Sequence, residues 1–298
     1  MDLDVDRENL ERSLCVCASL GFVTEDKEGR FGATLSTKLL SKDTKGNLSG
    51  ILEMLSSPLF FKLFSTLGAS LKSGKPEAQK ALGMPFFEYL QSNLEDMKMF
   101  AGAMESHSAV HMPAILEKLE LPKHAVLIDV GGGMGHLATA FLQKHADLKA
   151  IVLDRPELQP MFENFVKAQD ESLSSRLEFF SGDMFKSVPA GDVVVLKHII
   201  HDWDDEHCVL TLKNAAASLK ENGRIISIDA VLPKLGDTSD IATKVMHVNM
   251  LITLTGKERR EDQWRELYEK AGLELEKVVQ LKDHDSMSLV IAKKTNQK

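Results

Sequence analysis

Val126-Leu-Ile-Asp129-Val-Gly131-Gly132-Gly133-Met-Gly135 carries the signature from which the fold follows. Val126–Val130 is apolar apart from Asp129, as a strand covered on both faces should be. A glycine-rich turn follows, where no Cβ keeps the backbone from a ligand. The helix predicted over 135–144 then opens with unpaired N–H groups. A dinucleotide fingerprint, Gly-x-Gly-x-x-Gly/Ala, would need glycine or alanine at position 136, where His136 stands. Alternating Gly131, Gly133 and Gly135 after Asp129 instead suit a ligand with an amino-acid tail, whose cationic group a carboxylate can meet.

Working outward, short Val/Ile/Leu runs alternate with amphipathic stretches. Strands are predicted at 126–130, 150–153, 177–180, 193–196 and 224–229, with a closing pair at 278–281 and 288–292 around Asp283-His-Asp-Ser. A helix over 204–219 is expected to stop at Asn222-Gly223. This alternation defines an α/β domain, a doubly wound, mostly parallel Rossmann-like sheet, over residues 122–298. Each βα turn then lies at one sheet edge. Asp154, ending the second strand, is placed to accept from ribose hydroxyls. Asp183, after the third, is placed to accept from an adenine amino group, with Met184 and Phe185 offering apolar faces to the ring.

Residues 1–121 read as mostly helical and winged-helix-like. Leu10, Leu14, Cys17 and Leu20 share a helix face. Gly21 ends that helix, and a hairpin turns through Glu25-Asp-Lys-Glu-Gly29-Arg. A long apolar helix, interrupted near Pro58, is expected over 47–71, and another over 94–119 with Met97, Phe100, Ala101, Met104 and Ser108 on one side. That stripe also reads as plain core packing.

Composition narrows the function. Apolar residues make up 43% and charged residues 27%, ordinary for a globular protein. A net charge of −8 opposes a broad phosphate-binding surface, so no nucleic-acid partner is expected. Cys15, Cys17 and Cys208 show neither a disulfide nor a zinc pattern, which suits a reducing compartment. With no apolar run of membrane-spanning length and an acidic start, Met1-Asp-Leu-Asp-Val-Asp, the expectation is a cytoplasmic protein without a membrane partner.

His201-Asp202-Trp203 follows the fourth strand on the same edge as the glycine loop. A histidine there suits removal of a hydroxyl proton during an in-line displacement. It needs a carboxylate to orient its other nitrogen, and Asp229, at the end of the fifth strand, and Glu258, in Thr255-Gly-Lys-Glu258-Arg259-Arg, are the candidates. His198, His207 and His247 read as structural. No metal is expected.

Leu127-Ile-Asp-Val-Gly-Gly-Gly-Met-Gly, Gly182-Asp-Met-Phe, Leu196-Lys-His-Ile-Ile-His-Asp-Trp-Asp-Asp-Glu-His-Cys and Gly256-Lys-Glu-Arg resemble the small-molecule O-methyltransferases of the caffeic acid and acetylserotonin type. Val248-Asn249-Met250-Leu-Ile-Thr-Leu-Thr-Gly-Lys-Glu-Arg is most similar to the acetylserotonin branch. The resemblance implies S-adenosylmethionine as cofactor, held by Asp129, Gly131, Gly133, Asp154, Asp183, Met184, Phe185 and Lys197. It implies His201 as general base with Glu258 beside it. Asp229 stands where plant members usually have glutamate. Met104, Asn249, Met250 and Trp203 are expected on the acceptor side, facing a small hydroxylated, aromatic compound. A homodimer through the N-terminal domain is implied too. The chain starts inside the winged-helix element, where family members have preceding helices that build that dimer. Methylation at nitrogen, and a non-catalytic regulator using its winged helix, are the alternatives.

Overall fold

The computed structural model describes residues 4–44, 46–282 and 287–295. The chain divides into two compact units, residues 1–62 with 87–110, and residues 63–86 with 111–298.

In chain order the helical part comprises α1 (Arg7–Ser19), the hairpin β1 (Val23–Glu25) and β2 (Phe31–Ala33), then α2 (Leu35–Leu39). It continues with α3 (Ser49–Leu55), α4 (Pro58–Phe64), α5 (Leu67–Ser73), α6 (Ala78–Leu82), α7 (Phe86–Ser92) and α8 (Leu94–Lys118). The Asp6 carboxylate accepts from the Asn9 amide and starts α1, as an N-cap should. The helix expected over 47–71 with an interruption near Pro58 is broken there and again before Leu67, giving three short helices. Hydroxyls mark the breaks. Ser57 Oγ donates to the Met54 carbonyl (2.7 Å) and Thr66 Oγ1 to that of Leu63 (2.7 Å), each beside its own backbone amide, which donates to the same carbonyl (3.1 and 2.9 Å). Pro58 can only begin a new helix there, lacking an amide. In α8 Ala103 is fully buried, while Ala101, on the expected stripe, is exposed. Gly50 explains the difference, since a Cβ there would stand 2.9 Å from the Gly102 carbonyl, so α3 lies tight against α8.

The sheet of the second unit is built on strands β3 (Val126–Val130), β4 (Lys149–Asp154), β5 (Leu177–Ser181), β6 (Gly191–Lys197), β7 (Leu219–Leu232), β8 (Arg259–Arg260), β9 (Leu273–Gln280) and β10 (Met287–Lys294). Its helices are α9 (His136–Lys144), α10 (Gln159–Lys167), α11 (Glu171–Ser174), α12 (Asp205–Ser218), α13 (Ile241–Thr253) and α14 (Glu261–Lys270). Strand order is β5-β4-β3-β6-β7-β10-β9, with β8 paired to the end of β7. The strands β5 to β7 along this order run parallel, and β10 is antiparallel to both its neighbours. This is the doubly wound α/β sheet expected from the sequence.

Both faces are covered, which is why β6 is apolar at successive positions. Val193 and Val195 join one core with Leu137, Phe141 and Phe162. Val194 and Leu196 join the other, with Leu212, Trp264 and Tyr268. The closing strands are longer than expected, and the turn Asp283-His-Asp-Ser lies outside the described residues.

Asn222-Gly223 does not stop a helix. α12 has already ended at Ser218, and the pair sits inside β7 with Asn222 at φ 60°. Gly223 lets β7 approach β6, for a Cβ would lie 2.9 Å from the Asp192 carbonyl. The β6–β7 register shifts there. No helix among the described residues is long and apolar enough to cross a membrane.

Candidate active site

The glycine loop leaves β3 with Gly131, Gly133 and Gly135 all at positive φ (68°, 57° and 85°), where an L side chain would be strained. Asp129 lies beneath it. A Cβ on Gly132 would stand 2.6 Å from the Asp129 carboxylate, so Gly132 matters as much as its neighbours, although its place between alternating glycines did not single it out. Asp129 is buried, and Oδ2 lacks a hydrogen-bond partner among the described residues. Burial pushes its pKa up to about 7, with the nearby Lys197 ammonium opposing the rise.

Asp154, at the end of β4, ties the loop to the sheet. Its Oδ2 accepts from the Gly133 amide at 2.8 Å and its Oδ1 from the Arg155 amide at 2.7 Å. Each oxygen retains lone-pair capacity toward a hydroxyl donor. After β5, Asp183 Oδ1 accepts from the Phe185 amide at 2.9 Å, and Asn214 on α12 donates to the Met184 carbonyl at 2.9 Å. The Phe185 ring meets Trp203 edge-to-face at 4.8 Å, which puts Trp203 beside the β5 turn.

The fourth turn brings together a cluster of titratable side chains. His201 sits in a 3-10 turn, Ile200–Asp202, after β6. Its Nδ1 is 2.8 Å from Glu258 Oε1. Asp229 Oδ1, at the end of the parallel stretch of β7, is 3.9 Å from the same nitrogen, beyond hydrogen-bond range. Of the two candidate orienting carboxylates, Glu258 makes the bond. Neither Asp229 oxygen has a hydrogen-bond partner among the described residues, although the side chain is fully buried. His201 Nε2 lies 3.4 Å from Asp202 Oδ1.

His198, read as structural from the sequence, belongs to this cluster. Its Nδ1 is 3.9 Å from Asp229 Oδ1 and its ring 5.2 Å from that of His201. Its φ of 55° is the one local sign of an unusual position, and sequence does not display it. One ligand atom from each of His198, His201 and Asp229 lies within 4.8 Å of the other two, and His201 Nδ1 is committed to Glu258.

Charge in the cluster is strongly coupled. Burial alone would pull the His201 pKa down, yet Glu258, Asp202 and Asp229 outweigh it and raise it to about 10. Burial lifts Asp229 to about 8, with the His201 charge opposing, and lifts Asp202 to about 6. Desolvation lowers the Lys197 pKa, with Asp129 and Asp229 holding it up. On α13, Asn249 and Met250 are buried, and the Asn249 side-chain oxygen Oδ1 lacks a partner among the described residues.

The glycine loop, Asp154, the Asp183 turn and the His201 cluster thus stand at the carboxyl ends of successive parallel strands, where such sheets bind ligands. Residues 64–274 match the family model described as the O-methyltransferase domain. The chain is 34% identical over 253 residues to O-methyltransferase 13 of Lophophora williamsii, covering 83% of this chain and 67% of that protein. It is 33% identical over 247 residues to a caffeic acid 3-O-methyltransferase of Zinnia elegans, covering 81% and 67%. Among solved structures, the calicheamicin-biosynthesis methyltransferase CalO1, in its SAH-bound form, superimposes with a TM-score of 0.86 at 28% identity, covering 98% of this chain and 85% of that one. The chain belongs to the O-methyltransferase domain family. It is an enzyme of that class, and the membership carries with it S-adenosylmethionine as the cofactor.

Proposed function

We propose that this chain methylates the hydroxyl of a small aromatic acceptor, with His201 as the general base. The observation that carries this is the buried His201–Glu258 bond of 2.8 Å. It occupies Nδ1, so the ring nitrogen that would meet an acceptor hydroxyl is Nε2, which lies 3.4 Å from Asp202 Oδ1.

The residues present fit the cofactor. Gly133 has open space where a side chain would be, Asp154 retains acceptor capacity beside the loop, and Asp129 and Asp229 hold unpartnered buried oxygens. Gly131, Gly133, Asp129 and Lys197 would hold the methionine portion, Asp154 the ribose, and Asp183 with Met184 and Phe185 the adenine. Trp203, packed on Phe185, fits that end as well as the acceptor side. When bound, S-adenosylmethionine supplies a methyl group activated by a sulfonium charge.

His201 Nε2 then takes the hydroxyl proton as the acceptor oxygen attacks, and Glu258 stabilises the imidazolium. With a pKa near 10 the imidazole is protonated at neutral pH before ligands bind. A second cation brought into the site lowers that pKa by like-charge repulsion, which is the direction a base needs. Asn249 and Met250 would line the acceptor side.

The same reading assigns residues 122–298 to cofactor binding and catalysis, and 1–121 to a homodimer and the acceptor lid. Exposed Val16, Leu20, Leu35 and Phe61 in the first unit supply apolar surface of the kind that subunits bury. Sedimentation would read the dimer directly. A screen of phenolic and indolic hydroxyl compounds with methyl-labelled cofactor tests the acceptor class. Label should appear in O-methyl product, and transfer only to amines would overturn the assignment.

A further inference from the structure

Arg259 is 1% exposed, among the largest fully buried side chains of the protein. Burying a guanidinium is costly unless its donors are met, so its partners show what it does. Nη1 donates to the carbonyls of Ile200 (3.0 Å) and Lys257 (3.2 Å). Nη2 donates to the carbonyl of Trp203 (3.1 Å) and to Asp205 Oδ1 (2.8 Å), which Nε also approaches at 3.3 Å. Ile200 and Trp203 bracket His201, while Lys257 immediately precedes Glu258. One planar cation therefore grips the backbone on both sides of the base and the backbone that presents its carboxylate.

Other contacts fix the cation itself. Arg259 lies on β8, whose pairing with β7 sets Arg259 opposite Val231, two residues beyond Asp229. Its guanidinium carbon is 5.9 Å from the Trp264 ring centroid. The Cys208 thiol shares the same two carbonyls, 3.2 Å from that of Ile200 and 3.3 Å from that of Trp203. Burial pushes the pKa of this thiol up to about 12, so it stays a neutral donor.

We infer that Arg259 is the positioning residue for the base, setting the His201–Glu258 contact by binding both loops at once. The inference rests on His201 being the base. Lysine keeps the charge but not the fork that reaches three carbonyls and a carboxylate together. The titratable groups facing His201 are Glu258, Asp202, Asp229 and His198. Loosening its bond to Glu258 weakens the largest attraction holding the proton on the ring.

The test compares Arg259→Lys, Asp205→Asn and His201→Ala with the parent enzyme, by cofactor calorimetry, kcat and the pH profile. Arg259→Lys should bind S-adenosylmethionine as the parent does, lose roughly 10- to 100-fold in kcat as misplaced catalytic groups do, and move the acid limb to lower pH. Asp205→Asn removes the half-exposed ion partner of Arg259 and should move the limb in the same direction with a smaller loss. It decides the matter if the lysine variant fails to fold. An acid limb unmoved in every variant that folds, with kcat falling only as the folded fraction falls, would overturn the inference. Undiminished turnover in His201→Ala would instead overturn the base assignment beneath it.

Discussion

The backbone of Gly256 lies against the peptide joining His201 to Asp202, and a Cβ at this glycine would collide with the His201 carbonyl oxygen. The loop carrying Glu258 reaches His201 only because position 256 has no side chain. Gly256→Ala should therefore push the two loops apart. The expected result is a kcat lower by about 10- to 100-fold with cofactor affinity retained in calorimetry. Unaltered kcat in a folded variant would show that the close approach is incidental.

Glu258 gives a pH prediction. Its charge is the strongest of the three carboxylate attractions that raise the His201 pKa against desolvation, to about 10. A base must be unprotonated, so kcat/KM should climb from pH 7 into the alkaline range. Glu258→Gln removes the charge but keeps an acceptor. Its acid limb should move to lower pH while its maximal rate falls. A limb that stays put would separate Glu258 from the titration of His201.

Asp229 should oppose stability above neutrality. Its folded pKa of about 8 is raised from the ordinary 3.8, so the folded state holds the proton more tightly. Stability from that preference is complete below pH 3.8 and is lost as pH rises to about 8. Asp129, raised to about 7, and His201, raised to about 10, act in the same direction. Asp229→Asn imitates the protonated form. In cofactor-free melting curves it should narrow the gap in Tm between pH 6 and pH 9 by about 2–4 °C per kcal/mol recovered. A wider gap would contradict the raised pKa.

Asp154 holds the Gly133 amide at 2.8 Å, and in the proposed function it also holds the cofactor ribose. Asp154→Ala removes a charged acceptor from both. Affinity for S-adenosylmethionine should fall about 10- to 100-fold, since hydrogen bonds to charged groups contribute about 1.5–3 kcal/mol. Titration calorimetry would read it, and parental affinity would remove Asp154 from the binding site.

The strand–loop–helix signature from Val126 to Lys144 was legible because buried parallel strands and glycine turns leave local marks. Asp154 and Asp183 followed from topology, which puts βα turns on one edge. What sequence could not convey was three-dimensional accounting. Asn222-Gly223 has the chemistry of a helix stop, yet β7 absorbs it because Gly223 meets the Asp192 carbonyl. Asp229 and Glu258 were equal candidates until the distances of 3.9 Å and 2.8 Å separated them. Arg259 had no sign of its own in the sequence, since its burial depends on carbonyls that lie 56 and 59 positions away in the chain. His198 read as structural because its conformation is set by how β6 ends.

The most direct test is single-turnover methyl transfer by His201→Ala, with cofactor affinity measured on the same preparation. S-Adenosylmethionine should bind as it does to the parent, while transfer to a hydroxyl acceptor slows by about 10²- to 10⁴-fold, the usual worth of a positioned base. Transfer at the parental rate would contradict the account.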